Sequence, residues 1–232
     1  MHLGEVQRLL REYEPICICL QHIGSNIKSI GNYYQASISE PRNGVLGTAV
    51  YVHNKVTYDS IHLNNPTFQI SAIRLHLPDN KKVTVCNLYN QPNQNYDLNL
   101  LPNMLSILPQ PVLIVGDFNA HHSLWDENVM EADTDGKKVE RLIINDNYCC
   151  LNESETNTYF SKTHGKMSTV DLSICSSSIV DCFEWNVAND LYTSDHYPII
   201  ISYLSNTPLP QKISYNFSKA DWCKYDGLTE TS

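Results

Sequence analysis

A layered α/β domain is what this sequence predicts, and three observations predict it. An amphipathic helical pattern near the start leads straight into a continuous apolar run, Ile16-Cys17-Ile18-Cys19-Leu20. A second such run, Val112 to Val115, lies mid-chain. Between the two, the apolar residues alternate with period two, as in strands joined by short turns. Uninterrupted apolar runs of this length belong to strands covered on both faces, and helices are the usual cover.

The elements follow in order. Leu3, Val6, Leu9, Leu10 and Tyr13 repeat at helical spacing, with Glu5, Arg8, Arg11 and Glu12 opposite, and Pro15 ends that helix. The Ile16 to Leu20 strand stops at Gln21-His22. Asn26 to Pro41 reads as polar and irregular. Gly44 to Val52, Phe68 to Leu75 and Lys82 to Tyr89 read as strands, the last two joined through Pro78-Asp79-Asn80 and therefore antiparallel. Leu98 to Leu108 forms a short helix before the Val112 strand. A further helix spans Asp135 to Asn147 on the stripe Val139, Leu142, Ile143. Thr158 to Ser161, Val170 to Cys175 and Ile199 to Ile201 complete the strands. The pattern dissolves after Asn206, so residues 1–205 form the domain and 206–232 a linker.

Composition narrows the function classes. Hydrophobic content of 42% with 18% charged residues describes an ordinary globular chain. No apolar run approaches the roughly 20 residues of a membrane helix, so no membrane partner is expected. Met1-His2-Leu3-Gly4-Glu5 resembles neither a signal nor a transit peptide. Eight cysteines without a paired C-x-x-C, four of them (Cys17, Cys19, Cys86, Cys175) within apolar runs, read as buried thiols of a reducing compartment. The expected location is intracellular, nuclear or cytoplasmic. A net charge of −9 argues against broad nucleic-acid binding unless basic residues cluster locally. Lys137-Lys138 with Arg141, and Lys162 to Lys166, are the candidates; solvated charge is the other reading.

The chemistry gathers at strand ends. Gly116 closes the Val112 to Val115 run, and Asp117, Asn119, His121 and His122 crowd behind it. A buried strand fixes position and the loop beyond it supplies the polar groups. If the chain stays extended, Asp117 and Asn119 point the same way; the alternative is a local Asx turn. Asp171 sits between Val170 and Leu172, where a carboxylate needs a partner. His196 is a suitable one, since an Asp that fixes an imidazole is a recurring catalytic device. His22, Tyr89 and Ser194-Asp195 stand at further strand ends.

Four ordered segments, N-L-Y-N-Q-P (87–92), G-D-F-N (116–119), T-V-D-L (169–172) and S-D-H (194–196), together resemble the endonuclease/exonuclease/phosphatase superfamily. G-D-F-N-A-H-H-S-L-W resembles, more narrowly, the apurinic-endonuclease-like domain of jockey-like non-LTR retrotransposons. The likeness covers residues 3–204, and Ser214 to Trp222 is similar to the linker leading toward a reverse transcriptase. The resemblance implies a DNase I-like four-layer sandwich, two mixed sheets face to face with helices outside. It implies in-line hydrolysis of DNA phosphodiesters, a nick that primes reverse transcription at the target site. Asp117 would activate the water, Asn119 would position it and the scissile phosphate, and His196, polarised by Asp171, would contact that phosphate. Tyr89 would lie against it, Thr158 and Ser194 would supply hydroxyls, and Asp195 would stand beside a Mg²⁺ or Mn²⁺ ion. Double-stranded DNA is the implied partner, with element RNA reached only through a parent polyprotein.

Two departures from the family pattern are expected to matter. The metal-ligand Glu that ends the family's second motif is here His22, and imidazole suits a hard cation poorly. The family's opening Asn-bearing strand has no counterpart before the first helix, which would leave an unpaired interior strand edge. The competing functions are thus an active DNA-nicking endonuclease, a catalytically impaired remnant or DNA-binding pseudoenzyme, and a phosphatase of the same superfamily.

Overall fold

The computed structural model describes residues 2–24, 27–41, 44, 46–63, 68–92 and 97–210. Tail residues 211–232, including the linker-like stretch Ser214 to Trp222, lie outside them. Helix α1 (Leu3–Tyr13) leads into β1 (Cys17–Ile23), β2 (Ser29–Ile30), β3 (Tyr33–Ser39) and β4 (Gly47–His53). These four pair antiparallel throughout, in the order β1-β4-β3-β2. Next come β5 (Tyr58–Ser60), β6 (Gln69–His76), β7 (Lys82–Tyr89), α2 (Leu101–Ser106), β8 (Val112–Asp117), α3 (Thr134–Asn145) and β9 (Tyr148–Cys150). The chain closes with β10 (Tyr159–Ser161), β11 (Lys166–Ser168), β12 (Asp171–Ser176), β13 (Phe183–Val187) and β14 (Ile199–Tyr203). A six-stranded sheet runs β5-β6-β7-β8-β12-β9 and is mixed, with β7 and β8 parallel. β10–β11 and β13–β14 are separate antiparallel pairs.

Alternation along the central strands explains the layering. Ile73, Leu75, Val83, Val85, Leu113 and Cys175 point one way and meet Val50, Val52 and Val56, forming the core between the sheets. Their neighbours Ile70, Ala72, Cys86, Leu88, Ile114, Leu172 and Ile174 point the other way, against Leu101, Met104 and Leu105 around α2 and Val139 and Leu142 of α3. Both faces are covered, so these strands read as unbroken apolar runs. Helix α1 packs Val6 and Leu10 on the outside of the smaller sheet against Ile30, Tyr33, Ala49 and Tyr51. The result is a four-layer sandwich: helix, sheet, sheet, helices.

Two expectations need correction. Asn26 to Pro41 is not irregular where described, because β3 occupies Tyr33–Ser39. Its serines face the second sheet, where Ser37 Oγ accepts from the Ala72 amide and Ser39 Oγ donates to Gln69 Oε1. The strand after Pro111 does not stop at Gly116 either, but continues through Asp117. Gly116 has φ 142°, and a Cβ there would stand 1.9 Å from the Leu88 carbonyl oxygen. It permits β7 and β8 to approach closely at the end that carries the polar residues.

Strands β1 and β14 each pair on one side only among the described residues, β1 with β4 and β14 with β13. Both line one cavity of about 1040 Å³, walled by Leu3, Val6 and Leu9 of α1 and by Val85, Leu113 and Val115 of the larger sheet. Among the described residues, the edge of β1 away from β4 carries no strand. No helix is long and apolar enough to cross a membrane, and the seven described cysteines are free.

Candidate active site

Strand register assembles the site. β7 and β8 pair with Tyr89 opposite Asp117, and β8 and β12 pair with Asp117 opposite Asp171. Three adjacent strands therefore deliver Tyr89, Asp117 and Asp171 in one row at one end of the sheet. His196 arrives from the turn before β14, tied to β10 by a single bridge to Tyr159. Its Nδ1 lies 2.8 Å from Asp171 Oδ2, and its ring packs 4.8 Å from the Tyr159 ring. Ligand atoms of Asp117, Asp171 and His196 all lie within 4.8 Å of one another. The row and the histidine line the site end of the large cavity, with Tyr89, Asn119, Ser194, Asp195 and His22 around them.

The chain past Asp117 does not stay extended. Asn119 turns left-handed, φ 45°, its amide N–H bonding Asp117 Oδ1 at 3.1 Å while its side chain donates to the Asn90 carbonyl at 3.0 Å. The Asx turn is thus what forms, and it brings Asn119 to the rim beside the carboxylate. Asn90, which the sequence reading quoted within N-L-Y-N-Q-P but gave no role, fixes that turn: its amide N–H bonds the Asp117 carbonyl at 2.8 Å and its side chain donates to the Phe118 carbonyl at 2.7 Å.

Thr158 is placed elsewhere than facing a phosphate. It is fully buried, and its Oγ1 accepts from the Asp171 amide at 3.1 Å and the Val170 amide at 3.3 Å, holding the carboxylate's backbone. Asn152 supports the same strand, donating to the Asp171 carbonyl and accepting from the Ser173 amide. Neither Asn152 nor Tyr159 carried a sequence signal beyond its neighbourhood. Ser194 Oγ accepts from the His196 amide at 3.2 Å. Asp195 and His22 are both exposed and lie outside the group of three. His22 sits on a β1 irregularity with φ 58°, its ring 5.6 Å from that of Tyr89. Of the basic candidates, Lys138 is taken up by Asp135 and Asp97, while Lys162 and Lys166 are exposed at the β10–β11 turn.

Burial, then the neighbouring charge of Asp171, pushes the Asp117 carboxyl up to about 7. For His196, burial works against the charged ring. The Asp171 hydrogen bond and charge, with Asp117 and Asp195 behind them, outweigh it and hold the imidazolium to about 9. At neutral pH the site therefore holds a fixed imidazolium and a carboxyl poised to exchange a proton. Two buried carboxyls on facing strand positions, one pushed up by burial and then by its neighbour's charge, fit a hard cation nearby: a positive charge would relieve Asp117 and be met by oxygen donors. Asp117 and Asp171 supply carboxylate oxygens within the group of three, and Asp195 lines the same cavity; His22 adds only imidazole nitrogen.

The fold matches many solved structures. It resembles the endonuclease domain of TRAS1, a telomere-specific non-LTR retrotransposon, at TM-score 0.72 and 18% identity over 88% of this chain and 93% of that one. The AP endonuclease LMAP from Leishmania major matches at 0.65 and 13% identity over 84% and 80%, and an AP endonuclease from Archaeoglobus fulgidus at 0.59 and 14% over 87% and 93%. At such identities the likeness establishes the fold alone, the four-layer sandwich expected of the endonuclease/exonuclease/phosphatase superfamily. No curated protein matches the sequence. A family model described as endonuclease-reverse transcriptase matches residues 83–200, just over half of the 232 residues and the stretch that holds Tyr89, Asp117, Asp171 and His196. The chain belongs to the endonuclease–reverse transcriptase family of that superfamily.

Proposed function

We propose that this chain is a metal-dependent phosphodiester hydrolase that nicks double-stranded DNA, the endonuclease part of a retrotransposon-type polyprotein. The observation that carries the reading is the row Tyr89, Asp117, Asp171 with His196 bonded to its far end. A backbone phosphate seated over that row meets an imidazolium, whose charge offsets what builds on the phosphoryl oxygens. Asp171 keeps the ring charged and oriented. Asp117 takes a proton from the attacking water as the water oxygen bonds phosphorus. The bond from phosphorus to the 3′ oxygen breaks, and that oxygen takes a proton from solvent. Asn119 orients water and phosphate from the rim, and Tyr89 packs beneath. Asp117 and Asp195 would hold Mg²⁺ or Mn²⁺, which would neutralise charge on the phosphate and the departing oxygen. A nick of this kind leaves the 3′-hydroxyl that a reverse transcriptase extends.

Conversion of supercoiled plasmid to open circle with Mg²⁺ or Mn²⁺ tests the proposal, with Asp117→Ala as control. Equal conversion by both proteins overturns it. A second reading, an impaired copy that binds DNA without cutting it, is favoured by His22, an imidazole where a hard cation wants oxygen. Under that reading His22→Glu raises nicking at least tenfold; an unchanged rate removes it. Turnover of a phosphoinositide but not of DNA would instead point to a phosphatase.

A further inference from the structure

The turn that delivers Ser194-Asp195-His196 is built from two consecutive non-glycine residues in the left-handed region, Tyr192 (φ 47°) and Thr193 (φ 59°). L side chains rarely adopt this region, so surrounding contacts must enforce the geometry. Two of those contacts come from α1, at the opposite end of the sequence. The Tyr192 side chain is 1% exposed, and its hydroxyl donates to Glu12 Oε2 at 2.6 Å. The Arg8 guanidinium stacks over the Tyr192 ring, 4.3 Å from its centroid, and pairs with Asp190. Asp190 Oδ1 in turn accepts from the Tyr192 amide at 2.8 Å, and Glu5 braces Arg8 from one helical turn away at 3.1 Å. Leu191 closes the turn by accepting from the Ser194 amide at 2.8 Å.

We infer that Arg8, Glu12 and Tyr192 are positioning residues that clamp the turn and so set where His196 meets Asp171. The inference rests on the nuclease reading above only for its kinetic consequence. Three residues downstream of the left-handed pair, the backbone must place the imidazole within hydrogen-bonding reach of a carboxylate on a different sheet. That turn has few other anchors: the Asp195 carbonyl accepts from Phe160 and the Tyr197 amide donates to Thr158, and both lie on the β10 side of the histidine. An error of about 1 Å in a reacting group is worth up to ~100-fold in rate. The clamp therefore acts on turnover and scarcely on DNA affinity.

The test uses the full chain with two variants, Arg8→Leu and Tyr192→Phe, and Arg8→Lys as the conservative rescue. Arg8 is half exposed, so its replacement leaves the core untouched, and circular dichroism melts verify folding. Two readouts are taken: plasmid-nicking kcat and KM, and the downfield proton resonance of His196 Nδ1–H bonded to Asp171. We expect kcat to fall about tenfold in Arg8→Leu with KM within twofold, the downfield resonance to broaden or move upfield, and Arg8→Lys to recover most of both. Tyr192→Phe gives the same pattern more weakly. An unchanged resonance and kcat in folded Arg8→Leu overturns the clamp. If wild-type protein does not nick DNA, the nuclease reading fails on its own, and the resonance alone decides the clamp: moved in Arg8→Leu it stands, unmoved it falls.

Discussion

Replacing Asp171 by Asn leaves the shape of the site intact and removes the charge that keeps His196 protonated. The folded imidazolium, held to about 9 against an ordinary 6.5, corresponds to roughly 3 kcal/mol at ~1.4 kcal/mol per pH unit. Because 32% of the His196 side chain faces solvent, screening trims this to about 2 kcal/mol. The folded value is raised, so the pair's contribution is complete below pH 6.5, where folded and unfolded chains both carry the charged ring. It drains away as pH climbs through 9. Asp117 and Asp195 face the same ring, as does the Tyr159 side chain. Asp117, ionised above pH 7, is repelled by Asp171. Asp171→Asn therefore costs about 2 kcal/mol at pH 6, and at pH 10 it is neutral or stabilising. Urea unfolding in EDTA at the two pH values, followed by tryptophan fluorescence, measures this directly, with an NMR titration of His196 alongside. An equal loss at both pH values, or a ring still titrating near 9 in the variant, would refute the electrostatic reasoning.

Further outcomes follow from the same geometry. Asp117→Asn abolishes nicking, by at least ~1000-fold for loss of a general base together with a metal oxygen, yet above pH 7 it raises the metal-free melting temperature, since a buried repelled charge is gone. Gly116→Ala forces a methyl into the Leu88 carbonyl at 1.9 Å and costs more than ~3 kcal/mol in a denaturant melt. Thr158→Val strands two buried amides, those of Val170 and Asp171, losing about 1–3 kcal/mol, whereas Thr158→Ser retains most of it. Mn²⁺ or Mg²⁺ raises the melting temperature of the wild type, and the shift vanishes in Asp117→Ala.

How legible all this was depended on burial. β7, β8 and β12 are covered on both faces, so Val83-Thr84-Val85-Cys86, Val112 to Val115 and Leu172 to Cys175 announce themselves as apolar runs. β3 did not, because Ser37 and Ser39 spend their hydroxyls on the opposite sheet, a polar inter-sheet seam that reads as loop in one dimension. The short strands β2, β5, β9 and β11 carry too few residues for any period to show. At the site, Asp117, Asp171 and His196 were legible because charged groups at the ends of apolar runs need partners. Thr158 misled: a hydroxyl near a phosphate site looks like a ligand, and only coordinates reveal that its lone pairs already serve two amides. The clamp on Tyr192 was invisible, since a left-handed turn normally advertises itself through glycine and this one is enforced by a helix 180 residues away.

The one-sided bonding of β14 has a consequence for how the protein fails with heat. β14 is hydrogen-bonded to β13 alone among the described residues, and that hairpin holds to the larger sheet through side chains such as Trp185, whose indole N–H donates to Ser173. A two-stranded ribbon of this kind releases in a partial opening that the sandwich survives. His196 is spliced directly onto its upper end. Warming should therefore unseat the imidazole while the two main sheets are still intact. Catalytic competence would vanish several degrees before the melting midpoint, and amide deuteration at Ile199 to Tyr203 would outpace that of β7 and β8.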